Sequence, residues 1–169
     1  MTREDWSSVV ATRTCQEFAD AHRHPFLLSL SGLIVAPPPP RTVRREDSLQ
    51  VAEHQAARRR RITPPDRKPA VLPVRKVQAT FPSMITVGRA RNNDIVVPDA
   101  LVSKFHAVFR VSDGHWDLAD LGSANGTRVR DTALTPKGPP HPLRTGDEIA
   151  FGDQAFRFLD AASLWSWLR

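Results

Sequence analysis

Residues 103–130 read SKFHAVFRVSDGHWDLADLGSANGTRVR, and this stretch decides the fold class. Val108, Phe109 and Val111 in one run, then Trp116 and Leu118 in the next, suit a pleated, half-buried surface. Asp113-Gly114 marks a turn between the two runs, and Ser123-Ala124-Asn125-Gly126 marks another before Thr127. Strands are therefore predicted over 106–111, 115–120 and 127–130, with no long helix between them.

The same texture extends both ways. Strand-like runs occur at 71–77, 84–87 and 95–97 upstream, and at 148–151 and 154–159 downstream. Turns divide them at Arg91-Asn92-Asn93-Asp94, Thr145-Gly146-Asp147 and Gly152-Asp153. About eight strands in roughly ninety residues predict a sandwich of antiparallel sheets over 70–160. After it, Leu164, Trp165, Trp167 and Leu168 predict a short amphipathic C-terminal helix within 161–169, packed against a sheet edge.

Upstream, residues 1–36 read as a partly helical N-terminal extension. Thr14-Cys15-Gln16-Glu17 is a capping-box pattern, and a helix of about ten residues then runs to His22-Arg23-His24, before Pro25. The apolar run 26–35 reads as a buried strand or a partner-binding segment. Residues 37–69 read as a mostly disordered linker: Pro37 through Pro40 favour an extended spacer, and Arg58 through Arg61 repel one another.

Composition sets the bounds. The chain has 169 residues, 24 basic and 18 acidic side chains and a net charge of +6. Its single cysteine, Cys15, excludes an internal disulfide framework and a Cys-rich zinc site. Twenty of the 24 cations are Arg, which forms two-point hydrogen bonds with phosphate and carboxylate, although a source-genome bias gives the same count. There is no Tyr, so any phosphate signalling on the chain itself must use Ser or Thr. The longest mostly apolar run, 26–36, is far short of the roughly 20 residues a membrane-spanning helix needs. No secretory leader pattern is visible, so a cytoplasmic protein without a membrane partner is expected.

The polar residues of the β region sit where runs begin and end. Gly88-Arg89 ends one strand, Ser103-Lys104-Phe105-His106 leads into another, and Asn125-Gly126 precedes a third. Loops of a sandwich gather at its two ends on a rigid scaffold. At one end these three loops would bring together a guanidinium, a hydroxyl, an ammonium and a carboxamide, a set suited to holding an oxyanion with direction. Each piece also has an ordinary reading. Asn-Gly is a common hairpin turn, Lys104 suits a solvated surface, and His106 suits a structural bridge between loops. No partner at ligand spacing marks His106 as a metal site, and no cofactor is expected.

Four segments in order carry a resemblance: Gly88-Arg89; Ser103 with His106; Asp120-Leu121-Gly122-Ser123 with Asn125-Gly126-Thr127; and Leu143, Gly146-Asp147, Ile149 and Phe151-Gly152. Together they resemble the forkhead-associated (FHA) domain family, over roughly residues 70–160. The resemblance implies a β-sandwich of about eleven strands that binds phosphothreonine peptides through loops at one end. It implies that Arg89 and Ser103 contact the phosphate with Lys104 beside them, and that Asn125 bonds the ligand main chain. It implies loop-framework roles for Gly88, His106 and Gly126. Many members carry Thr or Ser before the Asn; here Ala124 withholds that donor. Leu101 lies where the family often selects the residue three positions after the phosphothreonine, which tells against an acidic preference.

The function expected is a non-catalytic phosphothreonine-binding adaptor or regulator, with a Thr-phosphorylated protein as partner and a Ser/Thr kinase upstream. Thr63, between Arg58–61 and Asp66, is a candidate phosphosite through which copies could self-associate. The alternatives are a phospho-independent interaction scaffold and a nucleic-acid binder using Arg58–61. The second is disfavoured because the run lacks interleaved aromatics for base stacking. An enzyme using Ser103 and His106 is disfavoured because no acid stands at a motif-like position to orient the His.

Overall fold

The computed structural model describes residues 6–30, 69–78 and 83–169. Eleven strands form along these segments: β1 (Phe26–Ser29), β2 (Val71–Pro73), β3 (Ile85–Gly88), β4 (Ile95–Val96), β5 (Ala107–Ser112), β6 (His115–Asp120), β7 (Thr127–Val129), β8 (Thr132–Ala133), β9 (His141–Leu143), β10 (Glu148–Phe151) and β11 (Gln154–Leu159). One sheet has six strands in the order β2-β1-β11-β10-β7-β8, and the other has five in the order β4-β3-β5-β6-β9. All pairs given by register are antiparallel except β3 with β4.

Alternation along each strand builds the layer between the sheets. Leu27, Phe156 and Phe158 from the six-stranded sheet meet Val87, Phe109 and Leu118 from the five-stranded one, with Ile149 and Phe151 beside them. The rings of Phe109 and Phe158 stack at 6.1 Å across this core. The β5–β6 hairpin turns through Asp113 (φ 51°) and Gly114 (φ 79°). Two consecutive positive φ values define the turn whose twist matches the strands it joins.

Strand β1 faces two ways. Leu27 enters the inter-sheet core, while Phe26 and Leu28 point outward into a second cluster with Trp6, Val10, Phe18, Leu159, Ala161 and Leu164. Three short helices build that cluster: α1 (Trp6–Ala11), α2 (Cys15–Ala21) and α3 (Ala161–Leu168). The capping box of α2 is complete: Glu17 N–H donates to Thr14 Oγ1, and Thr14 N–H donates to the Glu17 carboxylate at 2.8 Å. Asp160 caps α3 by accepting from Ser163 N–H at 2.7 Å.

Several elements differ from the sequence expectation for visible reasons. Helix α3 covers the outer face of the sheet at β1 and β11 rather than an edge, because Phe26, Leu28 and Leu159 offer apolar surface there. The run 71–77 ends as a strand at Pro73, and beyond it Lys76, Val77 and Gln78 are drawn to the Asp94 carboxylate. Strands β8 and β9 and helix α1 had no counterpart in the sequence reading. Residues 26–29 and the strands from Val71 to Leu159 share one sandwich, so the sheet takes in chain from both sides of 37–69. Thr63, Arg58–61 and residues 31–35 lie outside the described residues. Among the described residues no helix is long and apolar enough to cross a membrane.

Candidate functional site

The strand ends β3, β5, β6 and β10 deliver four loops to one end of the sandwich, and backbone hydrogen bonds stitch them together. Val87 O accepts from His106 N–H, and the chain then continues side by side: Arg89 N–H donates to Ser103 O at 2.9 Å and Ala90 N–H to Lys104 O at 3.2 Å. Gly88 makes this approach possible. A Cβ there would lie 2.2 Å from Lys104 O, so no other residue fits without moving the backbone. Arg89 and Ser103, fourteen positions apart, are thus bonded neighbours on one rim.

The two side chains are then oriented. Arg89 Nε donates to Val102 O at 3.1 Å, which fixes the guanidinium against the Ser103 loop through one of its three nitrogens. Ser103 Oγ accepts from Ala124 N–H at 3.0 Å, so its own hydrogen remains to be donated. Among the described residues neither the Arg89 terminal nitrogens nor the Ser103 hydroxyl hydrogen has an acceptor. No carboxylate among them is within ion-pair distance of Arg89 or Lys104. Lys104 is exposed. Asn125 is exposed too, and its Nδ2 donates to Leu101 O at 2.8 Å, leaving Oδ1 available as an acceptor.

His106 is fully buried and bridges two loops. Its Nδ1 accepts from Ser103 N–H at 3.0 Å, and its Nε2 sits 3.0 Å from Gly126 O. An amide can only donate and a carbonyl can only accept, so the ring is neutral with its hydrogen on Nε2. Burial pushes its pKa down, against the opposing pull of Gly126 O and the Asp120 charge. Gly126 (φ 75°) also accepts from Gly152 N–H at 3.0 Å, which ties the β10–β11 turn to the same end.

Two framework residues were not singled out from the sequence. Asn93 is buried, and its Nδ2 donates to both Ala90 O and Lys104 O, at 2.8 and 2.7 Å, clamping the Arg89 loop to the Ser103 loop. Asp120 is buried and accepts from Gly122 N–H, Ser123 N–H, Ser123 Oγ and Thr127 Oγ1, at 2.6–2.9 Å. Burial alone would raise the Asp120 pKa, but the Ser123 and Thr127 hydroxyls and the two amides hold it below the ordinary value. The signal for Asp120 was its place just before a Gly-Ser turn; nothing separated Asn93 from an ordinary turn residue.

The site is a ring of loops held rigid from beneath, with a cationic, donor-rich upper surface. Among the described residues no group of His, Cys, Asp and Glu could hold a metal ion. Such a surface can receive an anion that accepts several hydrogen bonds.

Comparison with known proteins agrees with this architecture. Residues 85–152 match the family model of the FHA domain. The chain is 39% identical over 74 residues to the oxoglutarate dehydrogenase inhibitor of Corynebacterium efficiens, covering 44% of this chain and 49% of that protein. It is 36% identical over 78 residues to the glycogen accumulation regulator GarA of Mycolicibacterium smegmatis, covering 44% of each. It thus spans about half the length of these curated relatives. Among solved structures it is similar to the FHA domain of an Arabidopsis thaliana hypothetical protein: 33% identity, TM-score 0.46, 54% of this chain and 74% of that one. The motif order, the eleven-strand sandwich and the family-model match agree on an FHA domain within the chain, matched over residues 85–152.

Proposed function

We propose that this protein is a non-catalytic adaptor or regulator that captures a phosphothreonine-containing segment of a partner protein at the rim formed by Arg89, Ser103 and Lys104. One observation carries the reading. The terminal guanidinium nitrogens of Arg89 and the Ser103 hydroxyl hydrogen, fixed on mutually bonded backbones, have no acceptor among the described residues. A phosphothreonine supplies about two negative charges and three acceptor oxygens at that place. Arg89 donates two parallel bonds, Ser103 a short one, and Asn125 takes a main-chain contact of the peptide through its remaining Oδ1.

The energetics suit signalling. Hydrogen bonds to a charged group contribute about 1.5–3 kcal/mol each. Two or three of them sum to about 3–9 kcal/mol before the cost of ordering a peptide, so the contact is weak enough to release. A Ser/Thr kinase acting on the partner then switches the contact on.

The same geometry tells against catalysis at Ser103 and His106. Both ring nitrogens of His106 are committed, one to Ser103 N–H and one to Gly126 O, so neither faces the Ser103 hydroxyl as a base. The relatives named as an inhibitor and as a regulator support a regulatory role for this chain.

The test is titration with a degenerate phosphothreonine peptide library and its unphosphorylated twin, run on wild type, Arg89→Ala and Ser103→Ala. Phosphate-dependent binding, weakened by at least about 1.5 kcal/mol in each variant, supports the proposal. Equal binding of both libraries would point instead to a phospho-independent scaffold.

A further inference from the structure

A lysine stands beside this rim in a backbone conformation that lysine rarely adopts. The segment Thr135-Pro136-Lys137-Gly138 is a tight turn closed by Gly138 N–H donating to Thr135 O at 2.9 Å. Proline fixes the first central residue near φ −65°, and Lys137 follows with φ 57°, which is the pattern of a type II turn. Its second central position normally belongs to Gly or Asn. Lys137 holds it, although Gly is the very next residue. An outlier of this kind is a reason to ask what the side chain does.

The side chain has a definite seat. Lys137 N–H donates to Asp120 O at 2.9 Å, which pins the turn against the end of β6. Its aliphatic stem then lies on Gly122, itself at φ 86°: a Cβ on Gly122 would meet Lys137 Cε at 2.9 Å and Cγ at 3.5 Å. A left-handed lysine and a side-chain-free glycine therefore mate. Gly122 is two residues before Ala124, whose N–H holds Ser103 Oγ, and three before Asn125. The ammonium has no ion-pair partner among the described residues. The nearby Asp120 carboxylate is occupied by four other donors.

We propose that Lys137 is a specificity-determining residue that extends the cationic rim beyond the phosphate seat and selects peptides with an acidic residue on the flank lying over the Gly122–Ser123 turn. The inference rests on the phosphothreonine reading and refines its ligand class. It runs counter to the reading of Leu101, which tells against an acidic preference three positions after the phosphothreonine. The stem, held flat on Gly122, loses little further freedom on pairing, so the charge acts from a preorganised position.

The test uses the full chain and three labelled phosphothreonine peptides, flanked by Ala only, by Glu on the N-terminal side, or by Glu on the C-terminal side. Wild type is expected to bind one Glu-flanked peptide about three- to fivefold more tightly than the Ala-flanked one at low salt, with the margin fading at high salt. Lys137→Met keeps a stem on Gly122 but removes the charge; it should abolish the margin and leave affinity for the Ala-flanked peptide within about twofold. Lys137→Glu should reverse the preference. Equal binding of all three peptides by wild type, a margin that survives Lys137→Met, or a uniform loss across all three in that variant would each overturn the proposal. Failure of the phosphothreonine reading looks different: binding would then not depend on the phosphate or on Arg89.

Discussion

The loop rim around Arg89 and the helical cap around Phe18 are built from opposite materials. At the rim, polar groups hold backbone to backbone: Asn93, His106 and Asp120 are buried, and their hydrogen bonds go to loop amides, loop carbonyls and hydroxyls. At the cap, Trp6, Phe18 and Phe26 pack as rings 5.1–6.3 Å apart, joined by Leu28, Leu159 and Leu164. Directional bonds fix positions, while non-directional burial supplies stability. Binding and stability are therefore expected to map to different regions of one sandwich.

The largest effect should appear at the cap. Phe18 is fully buried among three aromatic neighbours, so Phe18→Ala should lower unfolding free energy in urea by about 3–5 kcal/mol. The molecules that remain folded should bind phosphopeptide as wild type does.

Gly88→Ala is designed to break the division. It is a rim substitution with a core-like penalty, because its Cβ would meet Lys104 O at 2.2 Å. A destabilisation of about 3 kcal/mol, together with weakened binding, is expected because the Ser103 loop must move. Binding left intact would show that the rim tolerates displacement.

Acid titration sharpens the comparison from a third place. Asp94 accepts from Val77, Gln78 and Thr86 amides and from the Lys76 ammonium. Burial would push its carboxyl up, but these donors outweigh burial and bring the pKa down to about 2. The native state thus favours the charged form. The resulting stabilisation, on the order of 2 kcal/mol, is complete above the ordinary value of 3.8 and is lost as pH falls from there towards about 2. Asp120 has the same sign. Unfolding measured from pH 6 to pH 2 should show this decline, and Asp94→Asn should flatten part of it.

Lys104→Ala should produce the smallest change. The side chain is exposed and unpaired among the described residues, so binding should weaken by at most about 1 kcal/mol with no shift in melting temperature.

Much of this division is legible in the chain, for physical reasons that also explain what is not. Runs such as 106–111 and 154–159 announce themselves because they are short, rich in Val and Phe or Leu, and bounded by turn residues. Asp113-Gly114 announces the hairpin because only certain residues accept two positive φ values. Thr132–Ala133 and His141–Leu143 carry too few residues for any period to register, and Pro142 argues against a strand except near an edge. Helix α1 lacks an acidic first turn and a basic last turn, so its signal is tertiary: Trp6 and Val10 meeting α2 and β1. At the rim, the outward-facing groups stood out because Arg89 and Ser103 sit at strand ends with no local partner. Asp120 closes the turn that follows it, whereas Asn93 works by bonding Lys104 O, backbone that sequence alone does not place beside it. Lys137 was invisible for the same reason, since its significance lies in one φ value and in the absence of a Cβ on Gly122.

The central claim is that the Arg89–Ser103 rim alone receives the phosphate. Its most direct test is a backbone amide NMR map of the full chain during titration with a phosphothreonine peptide, repeated on Arg89→Ala. The account predicts shifts concentrated at Arg89, Ala90, Ser103, Lys104, Ala124 and Asn125, quiet amides in α1, α2 and α3, and loss of the response in the variant. Shifts centred on the helical cap, or an unchanged response in Arg89→Ala, would contradict it.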